Sequence, residues 1–308
     1  MTSSLPKNIS ASVAARLLTV SKTRQVEYQL TLENYAAERF VARLVASNHA
    51  AQFVLKGAML HPMWAKASYR PTRDIDFHAT EDMDRARLSK VVRAICETPM
   101  EDDGLRFDFD TLLVDAIRED NRHGGLRASM LVYLGRSRMR LQIDVGFGDV
   151  ITPGSREYVF PTLLGSEGIP GVNAYPVETV IAEKLEAIVA LGSANSRLKD
   201  FYDLWMISEN LTLDGKIIGR AFTRTFERRG TALPAVVPEI LTDEFAASEP
   251  MMARWEGFMT RSAQAPVPLR FETIVGRIRE FAFPVVATIR DGQEFGQRWS
   301  PGGPWSAG

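Results

Sequence analysis

The sequence predicts an α+β fold, in which a β-rich domain with N-terminal helices is followed by a helical domain. Three observations carry this. Residues 105–117, 126–134 and 138–147 read as strands, with turns at Asn121–Gly125 and Gly135-Arg136. Residues 8–24, 26–48 and 84–97 follow helical spacing, as does everything from Val177 to about residue 283. Between these blocks, Pro, Gly and Ser punctuate residues 152–176, which mark a boundary region. The expected organisation is a first domain over 1–170, a helical domain over 171–290, and a Gly/Pro/Ser-rich disordered tail over 291–308.

Each element has its own signal. In the second helix, Leu30, Tyr35, Phe40, Leu44 and Val45 recur at roughly helical spacing. Phe53-Val54-Leu55 is a short apolar run that ends at Lys56-Gly57, and a helical stretch of about 57–67 follows. Arg73–Ala79 alternates charged and apolar residues like a strand. Cys96 lies on the apolar pattern of 84–97, where a free cysteine acts as a small core residue.

Composition narrows the class. A chain of 308 residues with 45% hydrophobic content can bury a large core. Its net charge of −1 supplies no global attraction for nucleic acid, so any such contact must use a local basic surface. A single cysteine excludes an internal disulfide framework and suits a reducing compartment. MTSSLPKNIS has no apolar core of a secretory signal, and FAFPVVATI at 281–289 is too short to span a bilayer. The expectation is a soluble cytoplasmic protein without a membrane partner. Its four histidines lack zinc-ligand spacing.

The chemistry concentrates in RPTRDIDFHA. On a strand, Asp74 and Asp76 face one way and Ile75 and Phe77 the other. Two adjacent carboxylates repel unless a cation lies between them, and Mg²⁺ bound by carboxylates, phosphate and water is the usual solution. Upstream, Lys56-Gly57-Ala58 lies at a strand-to-helix junction, where bare backbone N–H groups can approach a phosphate. Downstream, LQIDVGFGD places Asp144 on the strand face opposite Leu141, Ile143 and Val145. Three aspartates from two strands can hold two metal ions across a nucleoside triphosphate.

A second constellation lies on the helix that begins at Val177. Lys184 falls in the middle of the apolar stripe formed by Val180, Ile181, Ala187 and Ile188. A lysine there needs an anionic partner. Asp200 and Asp203, three apart in RLKDFYDLWMI, supply one reading, an ion pair between helices. A triphosphate held by Lys184 is the other, and the two are compatible. Arg197 and Lys199 read as exposed helix-start charges.

Four segments in order resemble the AbiEii/AbiGii nucleotidyltransferase toxin family, which includes the MenT toxins. They are NYAAERFVARLVASNHAAQFVLKGAML, RPTRDIDFHA, LQIDVGFGD and AEKLEAIVALGSANSRLKDFYDLWMI, and the likeness spans roughly residues 8–210. The resemblance implies a DNA-polymerase-β-like nucleotidyltransferase fold in the first domain. It implies Asp74, Asp76 and Asp144 as metal ligands, and Lys184 and Asp203 as further active-site residues, with Asp200 beside them. It also implies NTP as co-substrate, tRNA and a cognate antitoxin as partners, a role in toxin–antitoxin or phage-defence systems, and nucleotide addition to the 3′ end of tRNA that blocks aminoacylation. Where the family often has Gly-Ser or Gly-Gly, this chain has Gly57-Ala58, which keeps the backbone N–H but lacks a hydroxyl.

A tRNA acceptor needs phosphate-neutralising side chains. Lys216, Arg220, Arg224 and Arg228 recur every four residues and drift slowly round one helical face, while Ile217, Ile218, Phe222 and Phe226 can face the core. Arg136, Arg138 and Arg140 form a second basic cluster along a strand. The competing readings are a small-molecule nucleotidyltransferase of the antibiotic-modifying type and a non-catalytic binding protein on the same fold.

Overall fold

The computed structural model describes residues 8–64, 72–117, 124–165, 167–262 and 269–307. The chain divides into two compact units. One comprises Met1–Met63, Pro71–Gly148 and Arg156–Ala174; the other comprises Trp64–Arg70, Asp149–Ser155 and Tyr175–Gly308. Residues 121–123 of the expected turn and 65–67 of the expected helix lie outside the described residues.

In the first unit, α1 (Ile9–Arg24) starts at Asn8, whose side chain accepts from the Ala11 N–H. α2 (Tyr28–Ala46) leads into β1 (Phe53–Lys56). Over its described residues, the helical stretch expected at about 57–67 is a 3-10 turn, Gly57–Leu60, followed by α3 (His61–Trp64). Then come β2 (Asp74–Ala79), α4 (Arg85–Cys96), β3 (Leu105–Ile117), β4 (Gly125–Leu134) and β5 (Ser137–Phe147). Asp84 caps α4 by accepting from the Arg87 N–H.

Two further strands, β6 (Arg156–Phe160) and β7 (Ile169–Ala174), occupy the stretch read from sequence as a boundary region. Most of the glycines and prolines there flank the short strands, and Pro170-Gly171 lies within β7. Phe160, Val172 and Ala174 supply buried residues. The sheet order is β3-β4-β5-β2-β1-β7-β6. It is mixed: β2 pairs with β5, and β1 with β7, in parallel, and the remaining neighbours are antiparallel.

The strand period decides what each face of this sheet does. Ile75, Phe77, Ala128, Met130, Val132, Leu141, Ile143 and Val145 are all buried on one face. α2 and α4 pack against these strands. Burying each large apolar side chain contributes roughly 1.5–3 kcal/mol. A one-residue slip would expose that whole set and bury the aspartates, so the register is tightly fixed. The same alternation leaves the polar set on the opposite face.

The second unit holds α5 (Val177–Leu191), α6 (Leu198–Asn210), β8 (Leu213–Asp214), α7 (Gly215–Arg229), α8 (Asp243–Ala246), α9 (Glu249–Ser262) and α10 (Phe271–Arg290). Its core includes Ile181, Leu185, Ile188, Phe201, Ile218, Phe222, Ile278 and Val285. β9 (Gln297–Trp299) and β10 (Trp305–Ala307) complete a three-stranded sheet with β8. The expected disordered tail at 291–308 is therefore corrected over its described residues. Trp299 is fully buried, its Nε1–H donates to the Ser208 carbonyl at 2.7 Å, and Trp305 donates to the Phe281 carbonyl. Two tryptophans outweigh the turn-forming composition around them.

Candidate active site

The polar face of the first unit's sheet carries a row of charges across five neighbouring strands. Lys56 on β1 is opposite Asp76 on β2. Asp76 is level with Asp144 on β5, which is opposite Arg127 on β4, and Arg127 is opposite Asp115 on β3. Asp74, one side-chain repeat along β2, is level with Gln142 and accepts from its Nε2 at 2.7 Å. The strand alternation thus brings Asp74, Asp76 and Asp144 onto one face, as the spacing predicted.

Asp144 is held by a bidentate fork. Arg127 donates through Nε and a terminal nitrogen to its two carboxylate oxygens, at 2.7 and 2.6 Å. That hydrogen bonding holds the Arg127 guanidinium above its ordinary pKa, and the charges of Asp74 and Asp76 add to the effect. Arg127 was not singled out in the sequence, although a signal was present. The turn at Gly135-Arg136 pairs Leu134 with Ser137, and counting seven residues away on each strand reaches Arg127 and Asp144.

Gly57 closes the other side of Asp76. Its φ is +74°, and a Cβ built there would lie 2.0 Å from an Asp76 carboxylate oxygen. Only glycine lets the backbone come this close to the carboxylate. The cradle that a Cβ would fill, and a donor set made only of hard oxygens, fit a small divalent cation, which needs only one or two carboxylates beside phosphate and water. Among the described residues, no group of three or more His, Cys, Asp or Glu side chains is closed into a metal-ligating cluster.

In the second unit, Lys184 donates to Asp200 and Asp203, each at 2.7 Å. The two carboxylates are 3% and 0% exposed, so the ion pair expected between helices forms with both. Arg197 also reaches Asp200, at 3.1 Å, which gives it a partner not expected from the sequence. A second, half-buried network escaped the sequence reading. Arg229 contacts Glu186, Glu183 and Asp149 at 2.8, 3.3 and 3.8 Å. On α7, Lys216, Arg220, Arg224 and Arg228 are exposed, and Ile218, Phe222 and Phe226 are buried. Lys216 pairs with Glu294.

A mixed sheet flanked by helices, with paired strand aspartates beside a glycine cradle, defines a nucleotidyltransferase-like protein. Two solved structures from Helicobacter pylori share the fold. JHP933 matches at a TM-score of 0.51 and 12% identity, covering 86% of this chain and 95% of that one. A protein described as a candidate nucleotidyltransferase also matches at 0.51 and 12%, covering 88% and 100%. No curated protein matches. The family model "Nucleotidyl transferase AbiEii toxin, Type IV TA system" matches residues 39–277, so the chain belongs to the AbiEii family and is a nucleotidyltransferase.

Proposed function

We propose that this enzyme is a toxin that transfers a nucleoside monophosphate from an NTP to the 3′ end of tRNA, blocking aminoacylation and hence translation. The observation that carries the reading is the level pairing of Asp76 with Asp144, with Asp74 and the Gly57 cradle on the same sheet face. Family membership supports the reaction class and an antitoxin partner. In this reading the first unit has the DNA-polymerase-β-like fold, and Asp74, Asp76 and Asp144 hold two Mg²⁺ ions. These ions would neutralise the triphosphate and acidify the attacking hydroxyl.

The chain's own residues do the rest. The Gly57 and Ala58 backbone lies beside the phosphates, with Lys56 as a cation on the same sheet row. Lys184 binds the triphosphate, and Asp200 and Asp203 orient it. Arg127 fixes the Asp144 carboxylate. The acceptor hydroxyl gives up its proton to water as its oxygen bonds the α-phosphorus, the P–O bond between the α- and β-phosphates breaks, and pyrophosphate leaves. Lys216, Arg220, Arg224 and Arg228 contact tRNA phosphates. The setting is the cytoplasm, where tRNA and NTPs meet.

The test is incubation of the purified protein with total tRNA, Mg²⁺ and each labelled NTP in turn. Labelled tRNA is the expected product, and Asp74→Asn and Asp76→Asn should each abolish it without loss of fold. Near-wild-type labelling by either variant at saturating Mg²⁺ would refute the metal assignment. Replacing Arg220 and Arg224 by Glu should weaken tRNA binding and flatten its salt dependence, which runs at about 0.7–0.9 log units per neutralised phosphate. A small-molecule enzyme would be insensitive to that change.

A further inference from the structure

The polar sheet face continues past the aspartates, and its far end has a different character. Along β5, Arg140 and Arg138 follow Gln142 and Asp144 on the same face. On β4, the residues facing them are Leu131 opposite Arg140 and Tyr133 opposite Arg138. On β3, Arg106 is opposite Tyr133, and its guanidinium lies 4.3 Å from the Tyr133 ring centroid. The row Arg106–Tyr133–Arg138 therefore crosses three adjacent strands. It lies three side-chain repeats from the Asp144 row, about 20 Å along the strand.

Two features distinguish this end from an ordinary solvated face. Arg106, Arg138 and Arg140 are all exposed, yet among the described residues none forms an ion pair, in a chain with slightly more acids than bases. Arg140 reaches only the Ser129 hydroxyl, at 3.3 Å. Apart from the aspartate row at the other end, this face carries Asp108 and Asp115 on the edge strand, with β4 between them and the β5 arginines. Unneutralised guanidiniums repel one another, and a polyanion removes that repulsion. The second feature is the half-buried Tyr133 ring beside a guanidinium. Together they form a flat π surface of the kind on which a base stacks.

We propose that the open face of β3, β4 and β5 is a track for a single-stranded polynucleotide. The Arg106–Tyr133–Arg138 row and Arg140 grip its phosphates and one base, and its 3′ end runs along β5 toward Asp144. This rests on the nucleotidyltransferase reading for what happens at that end, and it extends that reading by assigning the acceptor's path in the first unit. A single strand fits better than a duplex because stacking on Tyr133 requires an unpaired base. An acidic protein would satisfy the arginines but has no use for the ring in line with the aspartates.

The test measures binding of a 5′-fluorescein single-stranded oligoribonucleotide to the full chain by anisotropy, with neither NTP nor metal present. Arg138→Glu with Arg140→Glu should weaken binding at least tenfold and flatten its salt slope. Tyr133→Ala should weaken it at least fivefold, and Tyr133→Phe, which keeps the ring, should restore it. Circular-dichroism melts of each variant keep misfolding from passing as lost binding. Unchanged affinity in these variants overturns the track, as expected for a face that docks an acidic protein. Tighter binding of the same sequence as a blunt duplex also overturns it. Failure of the wild type to label tRNA would refute the transfer reaction instead, because this readout needs no catalysis.

Discussion

Gly57 and Glu38 each tie a local chemical fact to a measurable one. A methyl group at Gly57 collides with the Asp76 carboxylate, and its φ of +74° strains any L-residue. Gly57→Ala should therefore cost about 1–2 kcal/mol through the backbone. It should reduce transfer at least a hundredfold by displacing Asp76. A thermal melt and a labelling assay read the two effects separately, and normal transfer would disprove the cradle's role. Glu38 on α2 is buried, and burial pushes its pKa up to about 7 against a hydrogen bond from the Leu163 N–H at 2.6 Å. A carboxyl raised this way is protonated in the folded state while the unfolded chain is already ionised. Its stabilising contribution is therefore complete below about pH 4.5 and is lost as pH rises toward 7. Glu38→Gln keeps an acceptor for Leu163 and carries no charge. It should be the more stable protein at pH 8 and lack that slope, at about 1.4 kcal/mol per pK unit. Parallel stability–pH profiles for the two proteins would rule this out.

At the scale of elements, the sequence carried the long amphipathic helices and the three long strands, because each has many residues sharing one period. It missed elements whose period is too short to register. β6 and β7 span five and six residues between glycines and prolines, and β8 has two. The aspartates were legible because strand alternation alone places them. Arg127 was hidden by distance along the chain, since only the hairpin register joins it to Asp144. The C-terminal strands are the sharpest correction. Trp299 packs edge-on against Phe281, with ring centroids 5.1 Å apart, and Trp305 stacks on the same ring at 5.6 Å. Trp299→Ala should cost about 3–5 kcal/mol, the usual penalty for emptying a large aromatic site. Ending the chain at Asp291 should cost at least as much. A truncated protein with an unshifted denaturant midpoint would return this segment to a dispensable tail.

At the scale of the whole molecule, the aspartate row and the Lys184 cluster belong to different compact units, so a variant at Lys184 can lose activity through lost stability while the aspartates are unchanged. Lys184→Met illustrates the problem. It leaves Asp200 and Asp203 buried without their ammonium, and removing one partner of a buried ion pair typically costs about 3–5 kcal/mol. Lost transfer in that variant would say nothing about the triphosphate. Neutralising the aspartates as well removes the confounding charge. Asp200→Asn with Asp203→Asn, keeping Lys184, is the reference protein, and adding Lys184→Met to it gives the comparison. The double variant keeps a largely buried ammonium whose two carboxylates are gone, so the triple variant should melt at the same temperature or higher, and a fall in its NTP affinity is not lost fold. If Lys184 grips the triphosphate, NTP affinity should fall at least tenfold from the double to the triple variant, as read by calorimetry without an acceptor. If the lysine serves only to join α5 to α6, the two affinities will be equal, and the cation that meets the triphosphate must be sought among other residues, beginning with Lys56 on the aspartate row.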